Sequence, residues 1–368
     1  MEHTFIASAA FGLEGVAASE LRHMGLNARA ESGGARFTGE LIDAFRANVW
    51  LRTADRVLLV LREGEARTFE ELFQAVSQIS WEMYMKPDAA ILVSGKCVRS
   101  QLMSVRDCQS IAKKAIVTRL MEKHRVSALP ETGVPYPVEI SIRSDQLRVT
   151  LDMSGEALNR RGYRTWNGEA PLRETLAAAM VSLSPWKPEL PLYDPCCGTG
   201  TLLIEAAFQA TRRASGLKRA FACEQYPFMP KDAMRELRSE AEAAYTPETA
   251  FDIGGSDVDS EAITLCEKHV AQAGLAYRIP VEAQDLRTLH LPQPNGVFLC
   301  NPPYGERLSD TESCHALYRE LGRLLKRHPG WKLAALCSDP AFERYFGRRA
   351  VHKRRLYNGR LECELFIF

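Results

Sequence analysis

The sequence predicts an α/β protein in which a parallel sheet, closed by an antiparallel hairpin, follows a smaller α+β module. From residue 190 onward, short apolar runs typical of buried strands alternate with amphipathic helical segments. Residues 351–368 read as two strands around Asn358-Gly359, which is a strong signal for a two-residue hairpin turn. Before residue 155, helices and strands alternate at shorter spacing, which indicates the separate α+β module.

The first half is predicted to contain six strands and four helices. The strands are expected over 4–8, 35–38, 56–61, 91–94, 138–142 and 147–152, and the helices over 15–24, 41–48, 69–79 and 104–124. Ser144-Asp145 makes the turn between the last two strands. A domain boundary is predicted near residues 154–164, where the strand pattern ends.

The second half is predicted to repeat strand and helix. Pro171 opens a helix that runs through Val181, since proline is well suited to a first helical turn. Strands are expected over 192–194, within 251–257, and over 281–284, 296–300 and 333–338, with helices over 201–213, 261–273 and 314–327. The hairpin strands over 351–357 and 360–368 then close the sheet.

Composition limits the class of protein. The 368 residues suggest two or three domains, and 46% apolar with 25% charged residues describes an ordinary globular chain. A net charge of +1 excludes a uniformly polybasic protein, so any surface for nucleic acid must be local. The 10 cysteines show no zinc-type spacing, and the chain shows no signal peptide or bilayer-spanning run. We therefore expect a cytoplasmic protein without a metal or membrane partner.

The tetrapeptide Asn301-Pro302-Pro303-Tyr304 directly follows the predicted strand over 296–300. Because consecutive prolines cannot continue a sheet, the chain must leave the strand in a fixed, extended turn. The amide oxygen of Asn301 and the carbonyl of Pro302 can accept both hydrogens of an exocyclic amine, and Tyr304 can stack on the ring that carries the amine. A turn without chemistry is the alternative, but the position after an apolar strand favours a site for a planar base.

A glycine-rich turn, Asp194-Pro-Cys-Cys-Gly-Thr-Gly200, joins a predicted strand to a helix. Gly198 and Gly200 would let a ligand approach the backbone closely. The turn lacks the lysine of a P-loop, and Leu203 stands where a dinucleotide fingerprint has its third glycine. The carboxylate of Asp194 suits an amino group better than a pyrophosphate.

Two more acids follow predicted strands of the second half. Asp257 is placed to accept hydrogen bonds from ribose hydroxyls, and Asp285 from an adenine amine. Asp259 is expected to cap the following helix instead. Taken singly, each acid could be a turn or cap residue. At successive strand ends, together with Asp194, they outline a pocket for an adenosine with a cationic tail.

The segment 86–126 is basic although the whole chain is nearly neutral. A solvated helix face and a surface that binds phosphates explain this excess equally well. A second basic run, residues 160–164, lies at the predicted domain boundary. The candidate RNA-binding residues in these two segments are Lys96, Arg99, Lys113, Lys114, Arg161 and Arg164.

The motifs DPCCGTGTLLIEAA, GSDVDSEAI, AQDL and NPPYGER, in this order, resemble motifs I to IV of class I S-adenosylmethionine-dependent methyltransferases. The run RRGYR followed by APLRETLAAAM resembles the lead-in of THUMP-containing RNA methyltransferases, above all the bacterial large-subunit ribosomal RNA guanine-N2 enzymes. This resemblance implies a ferredoxin-like segment (1–55), a THUMP RNA-binding domain (45–155) and a Rossmann-like methyltransferase domain (160–368). It implies that S-adenosylmethionine is bound by Asp194, Cys196, Gly198, Gly200, Asp257, Asp285 and Asn301, and that catalysis takes place at Asn301, Pro302, Pro303 and Tyr304.

The resemblance implies direct methyl transfer to the N2 amine of a guanine, most simply in 23S rRNA. Alternatives are adenine N6 in RNA or DNA, since NPPY serves that chemistry too, and guanine N2 in tRNA. A non-catalytic RNA-binding assembly factor is an alternative of another class, against which the intact Asn301, Gly198 and Gly200 count. A small-molecule methyltransferase would leave the first half unexplained. Adjacent Cys196-Cys197 departs from the single cysteine common in this loop, and we interpret it as a packing variation.

Overall fold

The computed structural model describes residues 2–164, 172–304 and 308–368. The first half forms one sheet flanked by helices, whose elements in chain order are β1 (His3–Ser8), α1 (Glu14–His23), β2 (Asn27–Glu31), β3 (Gly34–Gly39), α2 (Leu41–Trp50), β4 (Arg56–Glu65), α3 (Phe69–Ser77), β5 (Ala90–Val98), α4 (Val105–His124), β6 (Pro135–Arg143) and β7 (Gln146–Asp152). The strand order is β2-β3-β1-β4-β7-β6-β5. Because β4 pairs with both β1 and β7, the two predicted N-terminal modules share a continuous sheet.

Local sequence explains several of these boundaries. Thr68 caps α3 by accepting from the backbone N–H of Glu71, whose side chain reaches back in a capping box. Ser104 caps α4 in the same way, by accepting from the N–H of Asp107. β2, which was not predicted, is an edge strand with the sequence NARAE. Only the small side chains of Ala28 and Ala30 alternate with its polar residues, so the apolar signal for a strand is weak.

The second half forms a mixed sheet. Its elements are α5 (Glu174–Leu183), β8 (Leu192–Asp194), α6 (Thr201–Ala210), α7 (Lys231–Ala244), β9 (Ile253–Asp257), α8 (Ser260–Gln272), β10 (Val281–Ala283), β11 (Gly296–Cys300), α9 (Leu308–Arg327), β12 (Trp331–Cys337), α10 (Phe342–Phe346), β13 (His352–Asn358) and β14 (Leu361–Ile367). The order is β10-β9-β8-β11-β12-β14-β13. Strands β8 to β12 are parallel, and β14 pairs antiparallel with both neighbours, which confirms the predicted α/β class with its closing hairpin.

Some predicted bounds were wrong. The helix predicted over 201–213 ends at Ala210, and α9 begins six residues before the predicted start at 314. The charged helix α7 was not predicted at all; its buried stripe consists of Met234, Leu237 and Ala241 among many charged residues. The predicted opening of a helix at Pro171 lies outside the described residues.

The hairpin of β13 and β14 rises beyond the rest of its sheet. β14 pairs with β12 only from Ile367 to Glu364, whereas its pairing with β13 continues to Leu361. Three residues of each hairpin strand therefore extend past the carboxyl end of β12, by about 10 Å at the usual rise per residue. They stand at the edge where β8 and β11 also end.

The two halves meet across a buried polar junction. Arg52 donates a hydrogen bond to the carbonyl of Arg213 at 2.7 Å, and the Ser215 hydroxyl donates to the carbonyl of Leu51 at 2.6 Å. Arg161 forms a salt bridge of 3.3 Å with Glu205, and both side chains are almost completely buried. Within the described residues, no helix combines the length and the apolarity that crossing a membrane requires.

Candidate active site

The sheet of the second half brings the predicted motifs to one edge. Asp194 ends β8 and pairs in register with Gly255 of β9, and Asp257 at the end of β9 pairs with Ala283 of β10. Asn301 directly follows β11, which lies on the other side of β8. Since parallel strands present their carboxyl ends at the same edge, residues more than a hundred positions apart surround one place.

The glycine turn has the backbone geometry that its two glycines were predicted to allow. Gly198 and Gly200 have positive φ angles of 50° and 82°. A Cβ atom on Gly198 would meet nothing within 4 Å, so this residue borders open space. A Cβ atom on Gly200 would lie 2.4 Å from the sulfur of Cys266, so this glycine is required for packing against α8. Gly198 is therefore the position at which a ligand can approach the main chain.

Asp194 is a buried carboxylate that accepts one hydrogen bond from the described part of the chain. Its side chain is 2% exposed, and Oδ1 accepts from the backbone N–H of Cys196 at 3.0 Å. Burial raises the pKa of Asp194 well above its ordinary value, and the negative charge of Asp257 adds to this. A cation beside Asp194 would reverse the effect, so the position suits a ligand that carries an ammonium or sulfonium group.

Cys196 lies beside this carboxylate and is half-buried. Burial raises the pKa of its thiol well above the ordinary value, and the nearby Asp194 and Asp257 add to the increase. The thiol therefore stays protonated at neutral pH, which is unsuited to a nucleophile. This environment favours the packing role that the sequence suggested for the paired cysteines.

Asp257 joins the glycine turn to the end of β9. Its Oδ2 accepts from the N–H of Gly198 at 2.8 Å, and its Oδ1 accepts from the N–H of Asp259 at 3.1 Å. Asp259 in turn accepts from the N–H of Glu261 at 2.8 Å, which confirms its predicted role as the cap of α8. Between the two acids, the side chain of Val258 is 77% exposed. This apolar side chain was not among the predicted site residues, although its place directly after the strand-ending acid was a usable signal.

Asp285 follows β10 and is held by a neighbour. Its two oxygens accept from the backbone N–H and the Nε of Arg287, each at 2.8 Å. These hydrogen bonds lower the pKa of Asp285, so it is a carboxylate at neutral pH. It stays available as an acceptor because a carboxylate has more lone pairs than Arg287 occupies. The adenine contact predicted for Asp285 stays a prediction.

The turn after β11 is fixed by a hydrogen bond from α9. The hydroxyl of Tyr318, which is completely buried, donates to the carbonyl oxygen of Pro303 at 3.0 Å. Pro302 is buried, Pro303 is exposed and Asn301 is half-buried. The proline pair therefore fixes the path of the chain while Asn301 remains at the border of the pocket.

Tyr304 does not lie as predicted. Instead of presenting its ring as an open stacking surface, it is half-buried and its hydroxyl donates to Oδ1 of Asn301. The ring packs toward the hairpin, where the hydroxyl interacts with Asn358 and Cys363, and burial raises the pKa of this hydroxyl. The hydroxyl occupies one lone pair of Oδ1 and so competes with a base for Asn301. The following residues 305–307 lie outside the described part of the chain.

The basic candidates of the first half differ in availability. Lys96 and Lys113 form salt bridges with Glu139 and Glu131 at 2.9 and 2.8 Å. Other basic candidates of this segment, Arg99 and Lys114, are exposed and form no salt bridge within the described residues. Arg99 and Lys114 are therefore better placed to bind a phosphate than Lys96 and Lys113.

Arg161 and Arg164 have structural contacts. The Arg161 side chain is 1% exposed and is bound to Glu205, and Arg164 forms a salt bridge of 2.8 Å with the buried Glu174. The burial of Arg161 therefore contradicts the prediction that this residue contacts RNA. A run of arginines looks the same in the sequence whether it faces solvent or neutralises buried acids, and only the fold separates the two.

Comparison with protein families matches the chain in three parts. Residues 161–367 match the family described as the RMKL-like methyltransferase domain. Residues 66–152 match the THUMP domain, and residues 4–58 match the RlmL ferredoxin-like domain. The methyltransferase match alone covers more than half of the chain.

Two relatives align with the entire chain. YpsC of Bacillus subtilis, provisionally assigned as an RNA methyltransferase, is 38% identical over 369 residues that cover 100% of this chain and 96% of YpsC. The ribosomal RNA large subunit methyltransferase K/L of Methylococcus capsulatus is 36% identical over 390 residues. That alignment covers 100% of this chain and 51% of the longer enzyme.

Solved structures show the same architecture. SMU.472, a provisionally assigned methyltransferase crystallised with SAH, superposes with a TM-score of 0.95 at 38% identity, covering 100% of this chain and 98% of that one. A Listeria monocytogenes protein described as a predicted N6-adenine-specific DNA methylase gives a TM-score of 0.95 at 41% identity, covering 100% and 96%. The chain therefore belongs to the THUMP-containing, RMKL-like family of class I S-adenosylmethionine-dependent RNA methyltransferases.

Proposed function

We propose that this chain transfers the methyl group of S-adenosylmethionine to the exocyclic N2 amine of a guanine in large-subunit ribosomal RNA. The observation that carries the proposal is the turn from Asn301 to Tyr304, which leaves β11 at the same edge as Asp194 and Asp257. A turn whose oxygens can accept hydrogen bonds from an amine thus borders a pocket suited to an adenosine with a cationic tail. The ribosomal assignment is supported by the likeness to the Methylococcus capsulatus enzyme, and the guanine by the RRGYR lead-in.

The proposed donor pocket combines acidic side chains, a stretch of open backbone and an exposed apolar side chain. Asp194 would hold the cationic end of the donor, and the open backbone at Gly198 would let it lie against the glycine turn. Asp257 would accept from the ribose hydroxyls, and the exposed side chain of Val258 would cover a face of the adenine. Asp285, held by Arg287, would accept from the adenine amine. The charge and the hydrogen-bonding capacity of these residues support S-adenosylmethionine as the ligand.

The protein contributes orientation to the reaction. When bound, S-adenosylmethionine supplies a methyl group that its sulfonium charge already activates. After a guanine is extruded from its stack, Asn301 Oδ1 and the Pro302 carbonyl would accept the two N2 hydrogens, so that the nitrogen lone pair faces the methyl carbon. The N–C bond forms as the S–C bond breaks, and the two oxygens stabilise the positive charge that develops on nitrogen. The surplus proton then leaves to water.

Methylation of adenine N6 is a second candidate. It is supported by the Listeria monocytogenes structure, whose description names that activity on DNA. The same two acceptor oxygens would serve either amine, so the Asn301 turn does not separate them. The THUMP match favours RNA as the nucleic acid.

The test is incubation of the purified chain with isotope-labelled S-adenosylmethionine and deproteinised ribosomal RNA, tRNA and DNA, followed by nucleoside analysis. Label in N2-methylguanosine from large-subunit RNA is the expected result. Label in N6-methyladenosine, in tRNA or in DNA would replace the substrate assignment. Absence of transfer to every nucleic acid would contradict the proposal altogether.

A further inference from the structure

A short stretch near the carboxyl end carries an unusual positive charge. Residues 344–360 contain seven arginines and lysines and no aspartate or glutamate, in a chain whose net charge is only +1. The stretch runs from α10 through β13 to the hairpin turn, and we call it the basic hairpin. Its basic residues are Arg344, Arg348, Arg349, Lys353, Arg354, Arg355 and Arg360.

Part of this charge is neutralised by the protein itself. Lys353 lies 3.1 Å from Glu343, and Arg355 lies 3.1 Å from Glu362. The remaining charge is available, since Arg348, Arg349 and Arg360 are exposed and form no salt bridge within the described residues. A partner with regularly spaced negative charges would complement these three side chains.

The basic hairpin adjoins the candidate active site. Its tip extends past the carboxyl end of β12, and its turn residue Asn358 interacts with Tyr304. Arg360 follows this turn directly. A nucleotide that reaches Asn301 must therefore have neighbours close to the hairpin tip.

An exposed aromatic ring lies beside the same strand. Phe11 is 55% exposed, and its ring makes an edge contact with Tyr357 at a centroid distance of 6.0 Å. The loop that carries Phe11 is fixed to β13, because Arg354 donates to the carbonyl of Gly12 at 2.9 Å.

Phe11, Arg354 and Arg355 border a groove of about 640 Å³ between the hairpin and the N-terminal module, and Glu14 and Glu31 also line it. Both acids are engaged within the protein, since Glu14 accepts from the N–H of Gly12 at 2.8 Å and Glu31 forms salt bridges with Arg36 and Arg148 at 2.8 and 2.9 Å. Aromatic rings interspersed with arginines are typical of surfaces that bind unpaired nucleotides.

We propose that the basic hairpin and Phe11 bind the RNA segment that flanks the target nucleotide, with Arg348, Arg349 and Arg360 on phosphates and Phe11 against a base. The inference rests on the proposed function in that RNA is the substrate. An anionic membrane would also attract the arginines. It would not explain why the charge continues to the tip beside Tyr304, where the substrate base must enter.

The experiment compares variants of the full chain. Arg348→Ala/Arg349→Ala/Arg360→Ala removes the three free charges, and Phe11→Ala removes the exposed ring. A control with the same change in charge, Arg212→Ala/Lys218→Ala/Arg235→Ala, alters exposed residues outside the hairpin. Binding to a fluorescein-labelled stem-loop RNA is measured over a range of salt concentrations, and binding of S-adenosylmethionine by calorimetry.

We expect the hairpin triple variant to bind RNA about tenfold or more weakly and to reduce the slope of log affinity against log salt by about 2. We expect Phe11→Ala to weaken binding by about tenfold with an unchanged salt slope. The control variant should bind RNA with the affinity and salt slope of the parent. Every variant should bind S-adenosylmethionine with the affinity of the parent.

RNA affinity and salt slope in the triple variant equal to those of the control would overturn the inference, even if the chain methylates RNA. If the triple variant bound phosphatidylglycerol vesicles more weakly than the parent but bound RNA equally well, the inference would also be overturned, in favour of a membrane-binding surface. A parent chain that binds RNA through the hairpin but methylates none would instead contradict the proposed function.

Discussion

Tyr304 carries two separable groups, a ring that packs against the hairpin and a hydroxyl that contacts Asn301. Tyr304→Phe removes the competing hydroxyl and keeps the ring, so we expect methyl transfer at least as fast as in the parent. Tyr304→Ala removes the ring whose packing positions the turn beside Asn301, and we expect transfer to fall by about tenfold to a hundredfold. Single-turnover transfer to the RNA substrate measures both. Equal loss in the two variants would show that the hydroxyl, and not the ring, is needed.

Asp194 links donor binding to stability. Because burial raises its pKa, the folded protein holds this proton more tightly than the unfolded chain, and stability falls as pH rises from the ordinary carboxyl range through the raised value. We expect Asp194→Asn to be more stable than the parent above this window, because the amide carries no charge that burial would penalise. We also expect it to lose affinity for S-adenosylmethionine.

Urea unfolding from pH 4 to 9 with calorimetric titration of the donor checks both effects. The exposed Asp232, on α7, provides the control variant Asp232→Asn, which should change neither quantity. A pH profile of Asp194→Asn that runs parallel to the parent's would contradict this role for the buried carboxylate.

For individual residues, the position at a strand end or a helix cap was easier to predict than the burial and the long-range contacts of the side chain. Asp257 could be placed at the end of a strand and Asp259 at a helix cap, because a strand end and a helix start are visible in the residue pattern. The burial of Arg161 and the inward position of Tyr304 depend on long-range contacts, with Glu205 and with the hairpin, that no local pattern contains.

At the scale of elements, the contact between the Phe11–Gly12 loop and β13 depends on a glycine. Gly12 has a φ of 88°, and a Cβ atom there would lie 2.5 Å from the carbonyl oxygen of Arg355. Gly25 has a φ of 82° with nothing within 4 Å, so Gly25→Ala measures the backbone strain alone. We expect that strain to cost about 1 to 2 kcal/mol.

Gly12→Ala should lower the free energy of unfolding by more than Gly25→Ala does, because the clash with β13 adds to the same strain. Urea titration of both variants gives the difference. Equal destabilisation by the two substitutions would mean that the loop is free to move away from β13.

Several elements were predictable from the residue pattern alone. The buried strand β11 and the hairpin turn at Asn358-Gly359 appear in the structure as the residue pattern indicated. The edge strand β2 gives only a weak signal, because alanine is its only apolar residue type. Helix α7 did carry a usable signal, since Met234, Leu237 and Ala241 recur at helical spacing, but this stripe was overlooked among the many charged residues. The parallel pairing of β5 with β6 across α4 is a property of the whole sheet.

At the scale of the whole molecule, a buried ion pair between Arg161 and Glu205 lies at the junction of the two halves, where Arg161 also donates to the carbonyl of Arg52 at 2.5 Å. Arg161→Ala would leave Glu205 buried without its countercharge, and we expect a loss of about 3 to 5 kcal/mol in the free energy of unfolding. The neighbouring Arg160 pairs with Glu156 in solvent, so Arg160→Ala should cost less than about 1 kcal/mol. Urea unfolding distinguishes the two. Similar small losses would indicate that the junction does not depend on this pair.

The most direct test of the account is to measure methyl transfer and donor binding together in Asn301→Ala. If Asn301 orients the substrate amine, transfer to RNA should fall by about a hundredfold to a thousandfold while the affinity for S-adenosylmethionine changes little. Transfer at the parent's rate, or a loss explained entirely by weaker donor binding, would contradict the assignment of this turn as the site of amine methylation.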